Sequence, residues 1–270
     1  MRTIDEMDAD SVLMRIDINS PVEDGAVQDN KRFARHAETI RELIEDDTAV
    51  ALLAHQGRPG RDTYLPLEQH ADILSDHLGQ EVRYVDEIVG DTADAAIDDL
   101  AAGEVLLLEN VRFRDEELED RSPSEHAESD LVQALHDRFD AYVNDAYSVA
   151  HRPHASVVGF PPVMDAYAGP VMETEWENNT RIRDGLEGTT VMLVGGKKVG
   201  DVVQVMDDLM DEVDEFLITG LVGELFLRAK GYDVGYDVNP GDTFMHEQWL
   251  DNRDAITDLL ETHGDSIYLP

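Results

Sequence analysis

Short apolar runs of strand length recur along this chain between segments of helical periodicity, and each run breaks off into glycine, asparagine, histidine or arginine. The sharpest case is Ala49-Val-Ala-Leu-Leu-Ala-His-Gln-Gly-Arg-Pro-Gly-Arg61. A buried strand that ends at once in a Gly-rich basic turn is how an open α/β sheet presents an anion site at the carboxyl edge of its strands. Upstream, residues 11–19 alternate as a strand and leave Asp17 and Asn19 at the exit before Ser20-Pro21. Residues 31–46 carry Phe33, Ala37, Ile40, Leu43 and Ile44 at helical spacing, with Arg32 in the first turn. Downstream, the pattern predicts a helix over 66–78, a strand over 81–85, a helix over 91–102 and a buried strand over 104–113 that exits through Asn110 and Arg112. A helix over 124–137 then leads to a strand over 140–145, which feeds Ala150-His-Arg-Pro-His-Ala155.

Strands alternating with helices predict a parallel, doubly wound sheet, and right-handed crossovers bring the carboxyl ends of its strands to one edge. That edge collects Asp17, Asn19, His55, Arg58, Arg112, His151 and Arg152, with Arg32 close by. Charged loop residues are usually just solvated. Here, however, 60 Asp and Glu stand against 21 Lys and Arg, so arginines at three strand exits of one sheet call for a ligand. Converging guanidinium forks suit a compact anion with more than one negative group, such as a phosphate with a carboxylate. His151 and His154 are read more plainly, as groups serving the local backbone.

From Phe160 the pattern changes. Pro161-Pro162 precedes a helix expected over 169–186, a spacer between two sheet domains. A strand over 190–194 then runs into Gly195-Gly196-Lys197-Lys198, a turn that holds half of the four lysines in the chain. Glycines let backbone N–H groups approach oxyanions and a lysine supplies charge, although the spacing is not that of a Walker A loop. A helix over 201–212, a strand over 214–219, Gly220, a helix over 221–230 and a strand over 266–269 follow.

The formal charge of −39 excludes general nucleic-acid binding, which needs a basic face. With 42% hydrophobic residues the chain is still too apolar for an acidic disordered protein, and such acidity fits a globular halophilic protein screened by a salt-rich cytoplasm. The absence of cysteine removes disulfides and thiol chemistry, and the lack of an apolar 18-residue stretch or signal-like start predicts a cytoplasmic protein.

Five stretches together resemble the phosphoglycerate kinase family: Arg15-Ile-Asp-Ile-Asn-Ser-Pro21, Ala54-His-Gln-Gly-Arg-Pro59, Leu107-Leu-Glu-Asn-Val-Arg-Phe113, residues 143–155, and Val194-Gly-Gly-Lys-Lys-Val199. The resemblance implies an α/β fold of two Rossmann-like, doubly wound parallel-sheet domains. These are a phosphoglycerate domain over 1–165, a hinge helix over 166–187 and a nucleotide domain over 188–270 that is expected to be incomplete. It implies 3-phosphoglycerate contacts from Asp17, Asn19, Arg32, His55, Arg58, Arg112 and Arg152. Arg32 would be the catalytic arginine and Lys198 the catalytic nucleotide-phosphate lysine, assisted by Gly195, Gly196 and Gly220. The implied partners are 3-phosphoglycerate or 1,3-bisphosphoglycerate and ATP or ADP with Mg²⁺, in glycolysis or gluconeogenesis, for a monomer without nucleic-acid or membrane partners and without protein metal ligands. Gln56 stands where leucine is commoner, Lys197 where alanine is commoner, and Val202 where many members carry a second lysine. No counterpart of the family's later nucleotide loops follows Pro270, so this chain is expected to bind phosphoglycerate without normal turnover, a binding-only relative being the alternative.

Overall fold

The structure, a computed structural model, describes residues 1–183, 186–234 and 243–270. The chain divides into two compact units, Met1–Glu177 and Asn178–Pro270.

In the first unit the strands are β1 (Ser11–Arg15), the two-residue pair β2 (Val22–Glu23) and β3 (Ala26–Val27), β4 (Ala49–Leu53), β5 (Val82–Tyr84), β6 (Val105–Leu107), β7 (Ala141–Asn144) and β8 (Ala166–Ala168). Its helices are α1 (Lys31–Glu45), α2 (Glu68–Leu78), α3 (Asp91–Asp98), α4 (Pro123–Ala127), α5 (Asp130–Leu135) and α6 (Ala155–Val158). A seventh, α7 (Pro170–Arg183), runs past the division at Glu177. Six strands form one sheet in the order β5-β6-β4-β1-β7-β8, with every pairing parallel. Side chains alternate across it. Val12, Met14, Val50, Leu52, Val105, Leu107, Ala141 and Val143 join Phe33 and Ile40 of α1 and Leu74 of α2 in one core. Leu13, Ala51, Leu53, Leu106 and Tyr142 join Ile97 of α3 and Leu131, Val132 and Leu135 of α5 in another. Burial on both faces explains why β4 reads as an unbroken apolar run.

Several elements depart from the sequence reading. The expected strand over 104–113 is a strand only over Val105–Leu107; Leu108 N still donates to Leu52 O at 3.1 Å, and the chain then enters a 3₁₀ turn at Val111–Phe113. The expected helix over 124–137 is two helices, because the Ser129 hydroxyl donates to His126 O at 2.6 Å and accepts from Val132 N at 3.4 Å, closing α4 and starting α5. The helix expected over 91–102 ends at Asp98. Residues 166–168, read as spacer, form a sixth strand whose Tyr142–Ala166 and Asn144–Ala168 register extends the sheet.

The second unit contains β9 (Val191–Val194), α8 (Val199–Asp208), β10 (Glu215–Ile218), α9 (Gly220–Ala229), α10 (Thr243–His263) and β11 (Ile267–Tyr268). Its three strands form a parallel sheet in the order β11-β10-β9. Val194, Phe216, Ile218 and Ile267 pack with Val203 and Met206 of α8, Phe226 of α9 and Ile256 and Leu259 of α10. The sequence reading assigns no element to α10.

Candidate anion-binding site

The carboxyl ends of β1, β4, β6 and β7 lie side by side in the larger sheet, so the loops that follow them share one edge. There they enclose a cavity of about 360 Å³. All seven residues expected to contact phosphoglycerate line it: Asp17, Asn19, Arg32, His55, Arg58, Arg112 and Arg152. Arg61, at the end of the Gly-rich turn after β4, lines it too. His151 does not; it is exposed, and among the described residues neither its imidazole nor that of His154 hydrogen-bonds to the backbone. His154 instead lies buried with Nδ1 at 3.4 Å from the Glu117 carboxylate.

Hydrogen bonds tie the loops to one another. Asn19 Oδ1 accepts from Gly57 N at 2.9 Å, and the Arg112 guanidinium donates to Gly57 O. Gly57 has φ +67°, and a Cβ there would sit 2.1 Å from Thr63 O, so only glycine lets the loop fold back this tightly. Arg32, from the first turn of α1, donates to Asn19 O at 2.7 Å and pairs with Asp17 at 3.1 Å, and the Ser148 hydroxyl donates to Asp17 Oδ2 at 2.5 Å. Asn30 starts α1 by accepting from Arg32 N at 2.9 Å.

The electrostatics are those of a cationic cluster that Asp17 neutralises only in part, through its pair with Arg32. Burial, reinforced by Arg15 and Arg152, lowers the Arg112 pKa to about 10. Buried Nε atoms of Arg112 and Arg152 have no partner. Burial first, then Arg15 and Arg112, push His55 well below its ordinary value, so it is neutral. Arg15 Nη2 lies 2.9 Å from His55 Nδ1; since a guanidinium only donates, Nδ1 accepts and the His55 proton sits on Nε2, as a donor for an anion. In a chain of charge −39, this cluster, with Asp17 the one carboxylate lining its cavity among the described residues, makes the cavity a candidate site for an external anion.

Sequence reasoning missed the supports beneath this surface. Arg15 is fully buried and also donates to Ser156 Oγ at 2.9 Å, and Ser156 in turn donates to the buried Glu117 at 2.8 Å. A charged residue inside an apolar strand was the available signal. His36 Nε2 accepts from Asp17 N at 3.1 Å, while Nδ1 donates to Asp145 Oδ2 at 2.9 Å. Asp145 also accepts from the Thr39 hydroxyl at 3.0 Å and from Val171 N and Met172 N at 2.8 and 3.2 Å, so one buried carboxylate ties α1 to the first turn of α7.

In the second unit the glycine turn after β9 and the one after β10 approach each other. A Cβ on Gly220, at φ +59°, would lie 3.8 Å from Gly196 N, and one on Gly195 would meet Thr219 Oγ1 at 2.7 Å. Lys198 immediately precedes α8 and extends into solvent, 3.8 Å from Asp201. Gly195, Gly196, Lys198 and Gly220 are therefore grouped where two strands deliver helix N-termini. Among the described residues no group of three or more His, Asp or Glu side chains is placed to hold a metal ion, and no helix is long and apolar enough to cross a membrane.

Fold and cleft together define an α/β protein with an arginine-lined cavity, a candidate anion site, at the carboxyl edge of a parallel sheet. The family model for phosphoglycerate kinase matches residues 2–270, and the chain belongs to that family. It is 57% identical over 269 residues to the phosphoglycerate kinase of Halorubrum lacusprofundi, covering 99% of this chain and 66% of the relative. The Haloarcula marismortui phosphoglycerate kinase is 54% identical, with 99% and 67% covered. Among solved structures, that of Pyrococcus horikoshii phosphoglycerate kinase superposes with a TM-score of 0.91 at 34% identity, over 100% of this chain and 67% of that one. The chain thus spans about two-thirds of the length of these relatives.

Proposed function

We propose that this chain takes part in reversible phosphoryl transfer between ATP and 3-phosphoglycerate, yielding ADP and 1,3-bisphosphoglycerate. The observation that carries this is the convergence of Arg32, Arg58, Arg112 and Arg152 with His55 Nε2 on one cavity, in a chain otherwise dominated by carboxylates. A substrate with a phosphate at one end and a carboxylate at the other matches several guanidinium forks with one neutral donor. Arg32 is already oriented by Asp17 and Asn19 O, so it needs little reorganisation to stabilise charge on a phosphoryl group in flight. Lys198 and the N–H groups of Gly195, Gly196 and Gly220 are assigned the nucleotide phosphates, with Mg²⁺ arriving as part of the nucleotide. The carboxylate oxygen attacks the γ-phosphorus as the bond to the β-phosphate oxygen breaks, and the protein's part is alignment and charge neutralisation.

A coupled assay in molar KCl, run beside calorimetric titrations of 3-phosphoglycerate and Mg-ADP, tests the reading. Binding of both ligands with turnover supports it fully. Binding of 3-phosphoglycerate without turnover reduces it to a binding role, and failure to bind 3-phosphoglycerate removes it.

A further inference from the structure

Gln56 lines the cavity between His55 and Gly57, and it is fully buried there. Its carboxamide uses all of its hydrogen-bonding positions. Oε1 accepts from Ser20 N at 2.9 Å and from His70 Nε2 at 3.0 Å. Nε2 donates to Ser20 O at 3.0 Å and to Thr63 O at 3.2 Å. The orientation of the amide is fixed, because the Ser20 N–H can donate only to oxygen.

These bonds join the two loops that carry the site. Ser20 closes the 17–20 segment, whose Asp17 and Asn19 line the cavity and orient Arg32. Thr63 closes the segment that carries His55, Arg58 and Arg61. Ser20 is held further by its hydroxyl, which donates to Ile18 O at 2.9 Å and accepts from Asn30 at 2.7 Å, linking the knot to the start of α1. Behind Gln56, His70 is buried against Phe33, with ring centroids 5.8 Å apart, and its Nδ1 has no partner. Burial lowers the His70 pKa to about 4, so it is neutral near pH 7 with its one proton committed to Gln56.

Resting on the phosphoglycerate reading above, we propose that Gln56, braced by His70, is a positioning residue: it locks the 17–20 and 55–63 loops at the separation and orientation the anion requires. An apolar side chain of similar size would leave Ser20 N–H, Ser20 C=O and His70 Nε2–H unpaired in a buried site, and the half-buried Thr63 C=O without its partner. The loops would then relax apart to reach water. Contacts that depend on both loops, such as Asn19 Oδ1 with Gly57 N, would loosen with them.

The test uses the native chain, Gln56→Leu, His70→Leu and His70→Gln in molar KCl, with two readouts: exchange of the Ser20 amide hydrogen, and calorimetric affinity for 3-phosphoglycerate and for inorganic phosphate. Gln56→Leu is expected to speed Ser20 exchange and to weaken 3-phosphoglycerate at least tenfold, while Mg-ADP affinity stays within twofold. His70→Leu should reproduce part of both effects. His70→Gln, which restores an N–H donor, should recover them, a pattern that mere loss of core packing would not give. Should Gln56→Leu fail to fold, the two His70 variants carry the decision, and equal Ser20 exchange and equal affinity in both would overturn the proposal. Unchanged exchange and affinity in a folded Gln56→Leu chain would also overturn it. If the native chain itself ignores 3-phosphoglycerate, the functional reading falls, while Ser20 exchange and phosphate affinity still decide the role of Gln56.

Discussion

The two parallel sheets of this chain are built from similar residues and treated differently by water. In the first unit β4 is buried along its whole length, Ala49 to Leu53, with one core on each face. In the second, among the described residues, Val191 and Leu193 of β9, Leu217 of β10 and Tyr268 of β11 are exposed on one face, Leu193 to 69%. Register places Leu217 between Leu193 and Tyr268, so these side chains form one contiguous apolar patch. Parallel strands are normally buried on both faces. The difference teaches where rigidity resides. The first unit can hold buried charges such as Arg15, Glu117 and Asp145 in fixed hydrogen-bond networks because its sheet is a two-sided platform. The second presents its glycine turns and Lys198 from a sheet with one bare side.

The largest test of that contrast is a pair of truncations. Leu53→Ala removes a fully buried side chain from the core under α3 and α5 and should cost about 3 kcal/mol in denaturant unfolding. Leu193→Ala removes a mostly exposed one and should change stability by less than about 0.5 kcal/mol. Equal costs would erase the distinction between the sheets.

Next in size is the acid response of the first unit. His70 has a pKa of about 4 when folded, against an ordinary 6.5, because of burial. Its contribution is complete above pH 6.5 and is lost as pH falls toward 4, since the unfolded chain takes up a proton that the native chain refuses. Between pH 7 and pH 5 that amounts to about 2 kcal/mol. Urea titrations at the two pH values should show a drop smaller by about this amount in His70→Gln, and identical drops would refute it.

How much of this was legible in the sequence follows the same division. The strands β1, β4, β6 and β7 announce themselves through apolar runs ending in Asp17, His55, Asn110 and Asn144, and their parallel order brings the seven candidate residues to one cavity. Strand β8 is only Ala166-Tyr167-Ala168, too short for periodicity to register, and is recruited by pairing with β7 and by Ala168 N donating to Arg2 O at 2.8 Å. The β2–β3 turn did carry a signal: Asp24-Gly25, both at positive φ, is a dipeptide suited to a tight hairpin. Helix α10 escapes the sequence reading because its apolar residues Met245, Trp249, Ile256 and Leu259 are diluted by acidic ones, and only packing on α8 and α9 reveals its face. Among the buried supports Arg15 carries a signal, a charge inside an apolar strand, whereas His36 and Asp145 are illegible because they meet across 109 positions of sequence.

A third, smaller effect separates the roles of the two units. Arg112→Lys replaces a guanidinium in a crowded cavity with an ammonium that cannot donate in parallel, and should weaken 3-phosphoglycerate about tenfold. Lys198→Ala should leave that affinity within twofold and weaken Mg-ADP instead. Calorimetry on both variants checks this, and loss of 3-phosphoglycerate binding in Lys198→Ala would contradict the separation. Smallest is the salt response: with a net charge of −39, the melting temperature should fall by a few degrees as KCl is lowered from molar to millimolar concentration. A flat profile would mean that surface repulsion does not limit this fold.

The central claim is that the first unit recognises a phosphate and a carboxylate carried by one small molecule. Titration of the 270-residue chain in molar KCl with 3-phosphoglycerate, inorganic phosphate and glycerate, each alone, tests it directly. The arginine cluster predicts saturable one-to-one binding of 3-phosphoglycerate, at least tenfold tighter than phosphate and tighter still than glycerate. Binding of phosphate alone as tight as that of 3-phosphoglycerate, or no binding of either, would contradict it.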